Sequence, residues 1–202
     1  MSESVIVIGG GGHAKVVIDC ILSAGDLVVG ILDDALEVGT DVLGIPVLGK
    51  IDAWSEYMDR KFVVAIGNNE VRRAISERIN ADFYTAIHPT ATVSRFASVG
   101  AGSVVMPQSV INAGASVGNH CIINTAAVIE HDSVIGDFAH ISPSAALAGN
   151  VRIGEGTHIG IGASIRNNIT VCSGVTVGAG AAVVKNITEK GTYVGVPARR
   201  IK

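Results

Sequence analysis

Aliphatic residues recur at every sixth position over the second half of the chain. From residue 87 to residue 188 the sequence divides into 17 hexads without an insertion, and the first position is Ile, Val or Leu in all 17. The fifth position is Ala, Ser, Cys, Thr or Val in 15 hexads, and Ile169 and Ile187 are the exceptions. A register held over this length is typical of a repeat solenoid.

The six-residue period predicts the shape of one coil. A large aliphatic residue followed four positions later by a small inward residue suits a short strand and a turn. Three such sides close a triangular coil of three hexads, so residues 18 apart stack on one face, about 4.8 Å apart as in paired strands. A single coil cannot bury its own interior, so the stack of coils is the cooperative unit. We therefore predict an all-β parallel β-helix domain over residues 83–202.

Residues 1–82 follow a different pattern of apolar positions. Ser4 to Ile8, Leu27 to Leu32 and Phe62 to Ile66 are short β-type runs. A helical pattern follows the first run and ends near Gly25, and GNNEVRRAISERI after the third run indicates a turn and a second helix. Strands that alternate with helices predict a small, Rossmann-like parallel α/β domain.

Composition and charge narrow the class of protein. Hydrophobic residues make up 48% of the 202 residues, which suffices for a large core, and aromatic residues only 4%. The net charge of -3 does not indicate the basic surface that is typical of nucleic-acid-binding proteins. The apolar runs are far shorter than the roughly 18 residues of a membrane span. The N-terminus lacks the features of a signal peptide. We expect a cytoplasmic protein with reduced cysteines and neither a nucleic-acid partner nor membrane insertion.

A glycine-rich turn joins the first strand to the first helix. The segment VIVIGGGGHAKVV contains G-x-G-x-x-A at Gly9, Gly11 and Ala14, and the acidic pair Asp33 and Asp34 ends the next strand. Such glycines let the backbone approach a phosphate, and a helix N-terminus favours negative charge. The alternatives are a turn required only for packing and a site for NAD. The short domain favours a nucleotide-linked substrate.

The histidines fall into two groups. His88, His120 and His158 occupy hexad positions outside the apolar interior, so we expect them to be solvated or locally hydrogen-bonded. His140 and His158 are one coil apart and should stack. Zinc normally takes three or four ligands, and no third is evident, so we predict no metal site.

His131 stands apart because it lies between Glu130 and Asp132 in a stretch that is otherwise aliphatic and small. Imidazole suits proton transfer near neutral pH, and flanking carboxylates orient the ring and raise its basicity. The alternative is a solvated cluster of charges on the face of the solenoid.

Over nearly its whole length the chain resembles the hexapeptide-repeat acyltransferases, and specifically the family of the sialic acid O-acetyltransferase NeuD and the UDP-4-amino-sugar N-acetyltransferase PglD. The resemblance rests on the uninterrupted hexads and on these segments: the GGGGHAK turn, ILDD, AIGNNE, INTAAVIEHDSVIGDFAHISP and VGVPARRIK. It implies a left-handed β-helix and a homotrimer with sites between subunits.

The resemblance also implies roles for individual residues. His131 becomes the general base and Asp132 the acidic residue that orients it. The residues implied to bind the nucleotide sugar are Gly10, Gly11, Gly12 and His13 at the pyrophosphate, Asp33 and Asp34 near the uracil and ribose, and Asn124 at the sugar. The residues implied to bind acetyl-CoA, a co-substrate, are His140 at the thioester, Gly149, Ile161 and Gly180 in the groove, and Pro197 and Arg199 in the tail.

The implied reaction is acetyl transfer from acetyl-CoA to the C4 amine of a UDP-linked 4-amino-4,6-dideoxy sugar, as in synthesis of UDP-N,N'-diacetylbacillosamine. O-acetylation of a sialic acid, non-catalytic sugar-nucleotide binding and zinc-dependent hydration on the same solenoid are the alternatives. Outward apolar residues around His131 suggest a contact surface between chains; they are Val105, Met106, Ile122, Val128, Val134, Phe138 and Ile161.

Overall fold

The computed structural model describes residues 2–201, so Met1 and Lys202, the outer ends of the two expected domains, lie outside it. The N-terminal unit is a five-stranded sheet with helices packed against it. Its elements in chain order are β1 (Ser4–Ile8), α1 (Gly12–Ser23), β2 (Leu27–Leu32), β3 (Asp41–Val42), β4 (Ile45–Gly49), a 3-10 helix (Ile51–Tyr57), β5 (Lys61–Val64) and α2 (Asn69–Arg78).

The sheet has the strand order β3-β4-β2-β1-β5, and all neighbours are parallel except β3 and β4. The predicted strands β1, β2 and β5 and both predicted helices are present. The β3–β4 hairpin was not predicted. Its turn places Leu43 at φ 59° and Gly44 at φ 81°. A two-residue turn with two positive φ angles favours Asn or Gly at both positions. Leu43 is not typical of such a turn, so the sequence did not indicate the hairpin.

The second unit is a parallel β-helix of two-residue strands spaced six residues apart. These strands are β6 (Ala86–Ile87), β7 (Thr92–Val93), β8 (Ser98–Val99), β9 (Val104–Val105), β10 (Val110–Ile111), β11 (Ser116–Val117), β12 (Ile122–Ile123), β13 (Val128–Ile129), β14 (Val134–Ile135), β15 (His140–Ile141), β16 (Ala146–Leu147), β17 (Arg152–Ile153), β18 (His158–Ile159), β19 (Ser164–Ile165), β20 (Thr170–Val171), β21 (Thr176–Val177) and β22 (Ala182–Val183). The tail adds β23 (Thr192–Val194) and β24 (Arg199–Arg200).

Every third strand shares a face of the prism, as the 18-residue coil predicts. The docked face, which contacts the N-terminal unit, contains β6, β9, β12, β15, β18, β21, β23 and β24. The second face contains β7, β10, β13, β16, β19 and β22, and the third face contains β8, β11, β14, β17 and β20. We name the three corners by one residue each: the Ile161 corner joins the docked and second faces, the His131 corner joins the second and third, and the Phe138 corner joins the third and docked.

The corners explain the regular spacing of glycines. The fourth residue of every hexad from Gly102 to Gly180 has a positive φ angle, which makes 14 consecutive cases, and six of these are glycine. Left-handed backbone costs little for glycine and more for other residues. The first and fifth hexad positions meanwhile form the solenoid core. Each hexad therefore contributes one short strand whose last residue points into the core, and one corner residue in the left-handed region.

The N-terminal unit covers the docked face. Met106 and Ile122 are buried against the core of helix α1 and the sheet, and Val105 faces the solenoid interior. The prediction that these three residues form an exposed contact surface is therefore wrong. Of the remaining residues, Val134 is 37% exposed and Ile161 is 56% exposed, while Val128 and Phe138 are half-buried. Only part of the predicted surface is thus open in one chain.

His120 also departs from its prediction. It is only 8% exposed. Its ring packs edge-on to Phe83 at 4.5 Å and stacks on Phe138 at 5.2 Å between centroids. Burial, followed by the charge of Arg72, lowers the pKa of His120 to about 4. The hexad pattern predicts that this side chain points away from the solenoid interior, as it does. At this corner, however, the N-terminal unit covers the surface of the solenoid, so the outward side chain is buried.

Candidate active site

The His131 corner carries an exposed imidazole–carboxylate pair. The Nδ1 atom of His131 lies 2.8 Å from the Oδ2 atom of Asp132, and the two side chains are 63% and 66% exposed. Asp132 lies in the left-handed region at φ 62°, because it occupies the fourth position of its hexad. Glu130 accepts a hydrogen bond from the backbone N–H of His131 at 3.3 Å. Asp132 is therefore the carboxylate that contacts the ring.

Two glycines in adjacent coils make room for this pair. A Cβ atom at Gly149, 18 residues after His131, would lie 2.5 Å from its Nε2 atom. A Cβ atom at Gly114, 18 residues before Asp132, would lie 2.6 Å from its Oδ1 atom. Sequence reasoning missed Gly114, although the 18-residue stacking rule identifies it once the pair is known. The ring of His131 thus rests against a coil that has no side chain at that point.

The pair is arranged for general-base chemistry. A carboxylate only accepts hydrogen bonds, so Nδ1 carries the proton and Nε2 keeps its lone pair. The hydrogen bond that Nδ1 donates to Asp132, with the charges of Asp132 and Glu130, raises the pKa of His131 above its usual value. The result is a strengthened base whose free nitrogen is accessible to solvent.

A second histidine cluster lies between the docked face and the N-terminal unit. His140 on β15 stacks on His158 on β18 with 4.7 Å between ring centroids, as predicted. The ring of His13, at the start of α1, lies 6.5 Å from the ring of His140, measured between centroids. The Nε2 atom of His140 lies 3.1 Å from Nδ2 of Asn124, and His158 bonds to Ser142 at 2.8 Å. The structure thus brings together His13, Asn124 and His140, which are distant in sequence.

The environment of this cluster opposes protonation. Burial, followed by the charge of Arg72, lowers the pKa of His13 to about 4. Burial lowers the pKa of His140 to about 3, with further contributions from His158, Arg72 and His13. The Nε2 atom of His13 and the Nδ1 atom of His140 are buried and have no hydrogen-bond partner within residues 2–201. Such buried unpaired nitrogens are costly, so the cluster presents polar atoms suited to a ligand.

The glycine turn is open on its outer side. Gly11 is the N-cap of α1, and a Cβ atom built at Gly11 or Gly12 meets no atom within 4 Å. Asp33 holds the turn: its Oδ2 atom accepts from the N–H of Gly10 at 2.7 Å, while its Oδ1 atom accepts from two backbone N–H groups. Asp34 is exposed and its Oδ1 atom accepts from the N–H of Ile51 at 3.0 Å. Asp33 therefore has a structural role beside its predicted ligand role.

The residues predicted to line the acetyl-CoA groove occupy two corners and the tail. Gly149 lies at the His131 corner, whereas Ile161 and Gly180 lie one coil apart at the Ile161 corner, where the N–H of Gly180 donates to the carbonyl of Ile161 at 2.8 Å. Pro197 and Arg199 belong to the tail at the open end of the solenoid. A cavity of about 270 Å³ lies there between Arg199 and the last coil.

One chain does not bring the two histidine sites together. The His131 corner lies between the second and third faces, opposite the docked face that carries His140. Within residues 2–201 no hydrogen bond or ring contact joins His131 to the second cluster. Within one chain the two sites therefore lie on separate sides of the solenoid.

A cavity of about 390 Å³ lies between α2 and the Phe138 corner, and Arg73 pairs with Glu155 at its edge at 2.5 Å. No predicted site residue lines this cavity.

Within residues 2–201 no helix is long and apolar enough to cross a membrane. In the same part of the chain no group of three or more His, Cys, Asp or Glu side chains is placed to hold a metal ion.

Comparison with known proteins identifies the chain's relatives. Residues 4–79 match the family model described as the PglD N-terminal domain. UDP-N-acetylbacillosamine N-acetyltransferase from Bacillus subtilis (strain 168) is 41% identical over 111 residues. That match covers 52% of this chain and 51% of the Bacillus protein, so the chain spans about half the length of this curated relative.

Solved structures match over the full length. The acetyltransferase domain of PglB from Neisseria gonorrhoeae FA1090 in complex with acetyl coenzyme A is 41% identical, with a TM-score of 0.94 over 100% of both chains. PerB from Caulobacter crescentus in complex with CoA and GDP-perosamine is 37% identical, with a TM-score of 0.94 over 98% of this chain and 97% of that one.

These matches extend over both units. The α/β unit carries the family's N-terminal domain, and the solenoid is the left-handed parallel β-helix of the related acetyltransferases. Together with the His131–Asp132 pair and the glycine turn, they show that the chain belongs to the PglD family of hexapeptide-repeat acyltransferases.

Proposed function

We propose that this protein transfers the acetyl group of acetyl-CoA to the C4 amine of a UDP-linked 4-amino-4,6-dideoxy sugar. The observation that carries the proposal is the His131–Asp132 pair, a base with a free Nε2 atom on a rigid wall. Relatives that match this chain are named for N-acetylation of UDP-N-acetylbacillosamine and of perosamine, and one is bound to acetyl coenzyme A. Both donor and acceptor classes are therefore supported by relatives at 36–41% identity.

The reaction needs no covalent enzyme intermediate. The amine attacks the thioester carbonyl, a C–N bond forms, and the Nε2 atom of His131 takes a proton from the attacking nitrogen. The C–S bond then breaks, and the protonated imidazole returns that proton to the leaving sulfur. Asp132 keeps the ring in the required tautomer and stabilises its positive charge, because its carboxylate accepts from Nδ1 at 2.8 Å.

The second histidine cluster is proposed to stabilise the negative charge that develops on the thioester oxygen. A neutral imidazole donates one N–H, and a donor aimed at the thioester oxygen stabilises the negative charge that develops there. His140 meets the first condition because burial holds its pKa near 3. Asn124 donates from Nδ2 to the Nε2 atom of His140 at 3.1 Å, so the neutral ring carries its N–H on Nδ1, and Asn124 is proposed to contact the sugar.

The two sites lie on opposite sides of the prism, so we propose a homotrimer in which His131 comes from one chain and His140 from the next. A closed three-fold ring repeats one heterologous contact three times and leaves no open end. Exposed Val134 and Ile161 would lie in that contact. Gly149 of one chain and Ile161 and Gly180 of its neighbour would then form the walls of the acetyl-CoA groove.

The glycine turn is proposed to hold the diphosphate of the acceptor. The first turn of α1 presents unpaired backbone N–H groups, and the helix N-terminus favours negative charge. The open space outside Gly11 and Gly12 leaves room for the phosphates. His13 belongs to the same turn and lies 6.5 Å from His140, which connects the phosphate site to the reaction site.

The test is acetyl-CoA consumption measured against a panel of UDP-, GDP- and dTDP-linked 4-amino sugars and free sialic acid. We expect the highest kcat/KM with a UDP-linked 4-amino sugar and a mass increase of one acetyl group on nitrogen. His131→Ala protein is the control for background hydrolysis. Turnover of sialic acid without turnover of any amino sugar would contradict the proposal and support O-acetylation.

A further inference from the structure

Arg72 is a buried cation with no acidic partner in residues 2–201. It lies on α2 and is 1% exposed. Its Nε atom donates to the carbonyl of His120 at 2.8 Å. Its Nη1 atom donates to the carbonyls of Ile66 and Gly67 at 2.9 and 3.3 Å. Its Nη2 atom donates to the carbonyl of Phe138 at 2.8 Å and to Oδ1 of Asn69 at 2.9 Å. All five acceptors are neutral.

These hydrogen bonds connect three separate parts of the molecule. Ile66 and Gly67 follow β5 in the N-terminal sheet, whereas His120 and Phe138 lie in adjacent coils at the Phe138 corner of the solenoid. The planar guanidinium carries five donors in a fixed geometry, and here all of them are engaged. Arg72 therefore helps to hold the N-terminal unit on the docked face, together with the packing of Met106 and Ile122 against the core of α1 and the sheet.

In the described part of the chain the charge of Arg72 has no counter-ion. Burial lowers the pKa of Arg72 to about 10, which still leaves it protonated at neutral pH. A buried charge without a partner is unfavourable for folding, so a neutral side chain of similar shape would be expected if only packing mattered. No salt bridge of Arg72 occurs within residues 2–201. Its positive charge is therefore not neutralised by a carboxylate, and it contributes to the lowered pKa values of the imidazoles in the second cluster.

These imidazoles belong to the candidate site. His140 stacks on His158 of the next coil and lies near His13 on α1. Burial is the largest cause of its lowered pKa, followed by the charges of His158, Arg72 and His13. Burial is also the largest cause of the lowered pKa of His13, followed by the charge of Arg72. Loss of the Arg72 charge would remove one of these contributions from both rings.

We propose that Arg72 is a positioning residue of the reaction: its guanidinium bonds the N-terminal unit to two coils of the β-helix and so helps to hold His13 against His140, and its charge adds to burial in opposing protonation of both imidazoles. This inference rests on the proposed function for its effect on kcat. Its effect on the two imidazoles can be measured without any substrate. The two ideas can therefore fail separately.

The experiment compares R72M, which removes the charge, with R72K, which keeps the charge but offers a single ammonium in place of the fork. Imidazole titrations are followed by NMR on histidine-labelled protein, and kcat is measured with the acceptor that the panel identifies. In the wild type we expect His13 and His140 to remain neutral down to their pKa values of about 4 and about 3. R73M is the matched control, since Arg73 is the next residue and forms a surface pair with Glu155.

In R72M we expect both titration midpoints to rise toward the usual value without reaching it, because the charge of Arg72 is gone while burial remains. In R72K we expect midpoints at their wild-type values and a kcat lowered by about 10-fold or more, because the reacting groups are misplaced. R73M should match the wild type in both measurements. Unchanged midpoints in folded R72M, or a wild-type kcat in R72K, would overturn the proposal.

If R72M does not fold, R72K decides alone. Wild-type midpoints with a lowered kcat support the proposal, whereas raised midpoints despite the retained charge overturn it. If no acceptor in the panel is acetylated, the proposed function fails, and the R72M titration still tests whether the charge of Arg72 opposes protonation of the imidazoles.

Discussion

The two histidine sites of this chain use the same side chain in opposite ways. His131 is exposed, contacts a carboxylate and has a raised pKa. His140 is half-buried, lies near Arg72 and two further histidines, and has a pKa lowered to about 3. The first setting raises the affinity of imidazole for a proton, and the second lowers it. These are the properties needed by the base and the neutral donor of the proposed acetyl transfer.

The largest expected effect comes from removing the base. His131→Ala should lower kcat by on the order of 10²–10⁴, the range for loss of a general base. The melting temperature should not change, because the side chain is exposed. His88→Ala is a matched control, since His88 bonds only locally to Thr90. A variant that kept more than roughly a third of the wild-type kcat would lie outside the range for loss of a general base and would exclude His131 as the base.

The next effect tests whether the base needs the free space beneath it. Gly149 does not lie in the left-handed region, so alanine is allowed by the backbone, but its Cβ atom would lie 2.5 Å from Nε2 of His131. We expect Gly149→Ala to lower kcat by about 10² through displacement of the ring. In the His131→Ala background the same change should cost nothing further. Additive losses in this double-mutant cycle would show that Gly149 acts on another group.

A mixing experiment tests whether the two sites meet across chains. His131→Ala and His140→Asn are each expected to be nearly inactive. In randomly mixed trimers roughly one quarter of the sites would combine an intact His131 with an intact His140 from the next chain. Activity should therefore recover to about that fraction. Confirmed subunit exchange without recovery would place both residues in the site of a single chain.

A smaller effect concerns the tuning of the base. Asp132 raises the pKa of His131 in the folded protein, and the reaction requires the neutral ring. Asp132→Asn removes the negative charge, so the pKa of His131 falls and the ring stays neutral at lower pH. We expect the acidic limb of the pH–kcat profile to move to lower pH, with a plateau kcat about 10-fold lower. A limb that moves to higher pH would contradict the assigned role.

The smallest expected effect separates the two ligands. Gly11→Val places methyl groups in the open space outside the turn and should weaken binding of the UDP-sugar by about 10-fold while leaving CoA binding unchanged. Calorimetry with each ligand alone measures both constants. Ser23→Val, at the exposed opposite end of α1, is the control. Loss of CoA affinity alone would remove the turn from the acceptor site.

The sequence by itself determined the solenoid, its period and the two units, because one aliphatic and one small residue per hexad suffice to specify a coil. It also singled out His131 and the glycine turn, since charged or glycine-rich segments interrupt an otherwise regular pattern.

Only the tertiary structure decided which outward positions face solvent. Met106, Ile122 and His120 follow the same hexad rule as exposed residues, yet the N-terminal unit buries them. Arg72 likewise gives no sign in the sequence that two of its five donors reach two coils of the solenoid. The physical reason is that a local period fixes the direction of a side chain relative to its own coil, whereas burial and pKa depend on what another part of the chain places against it.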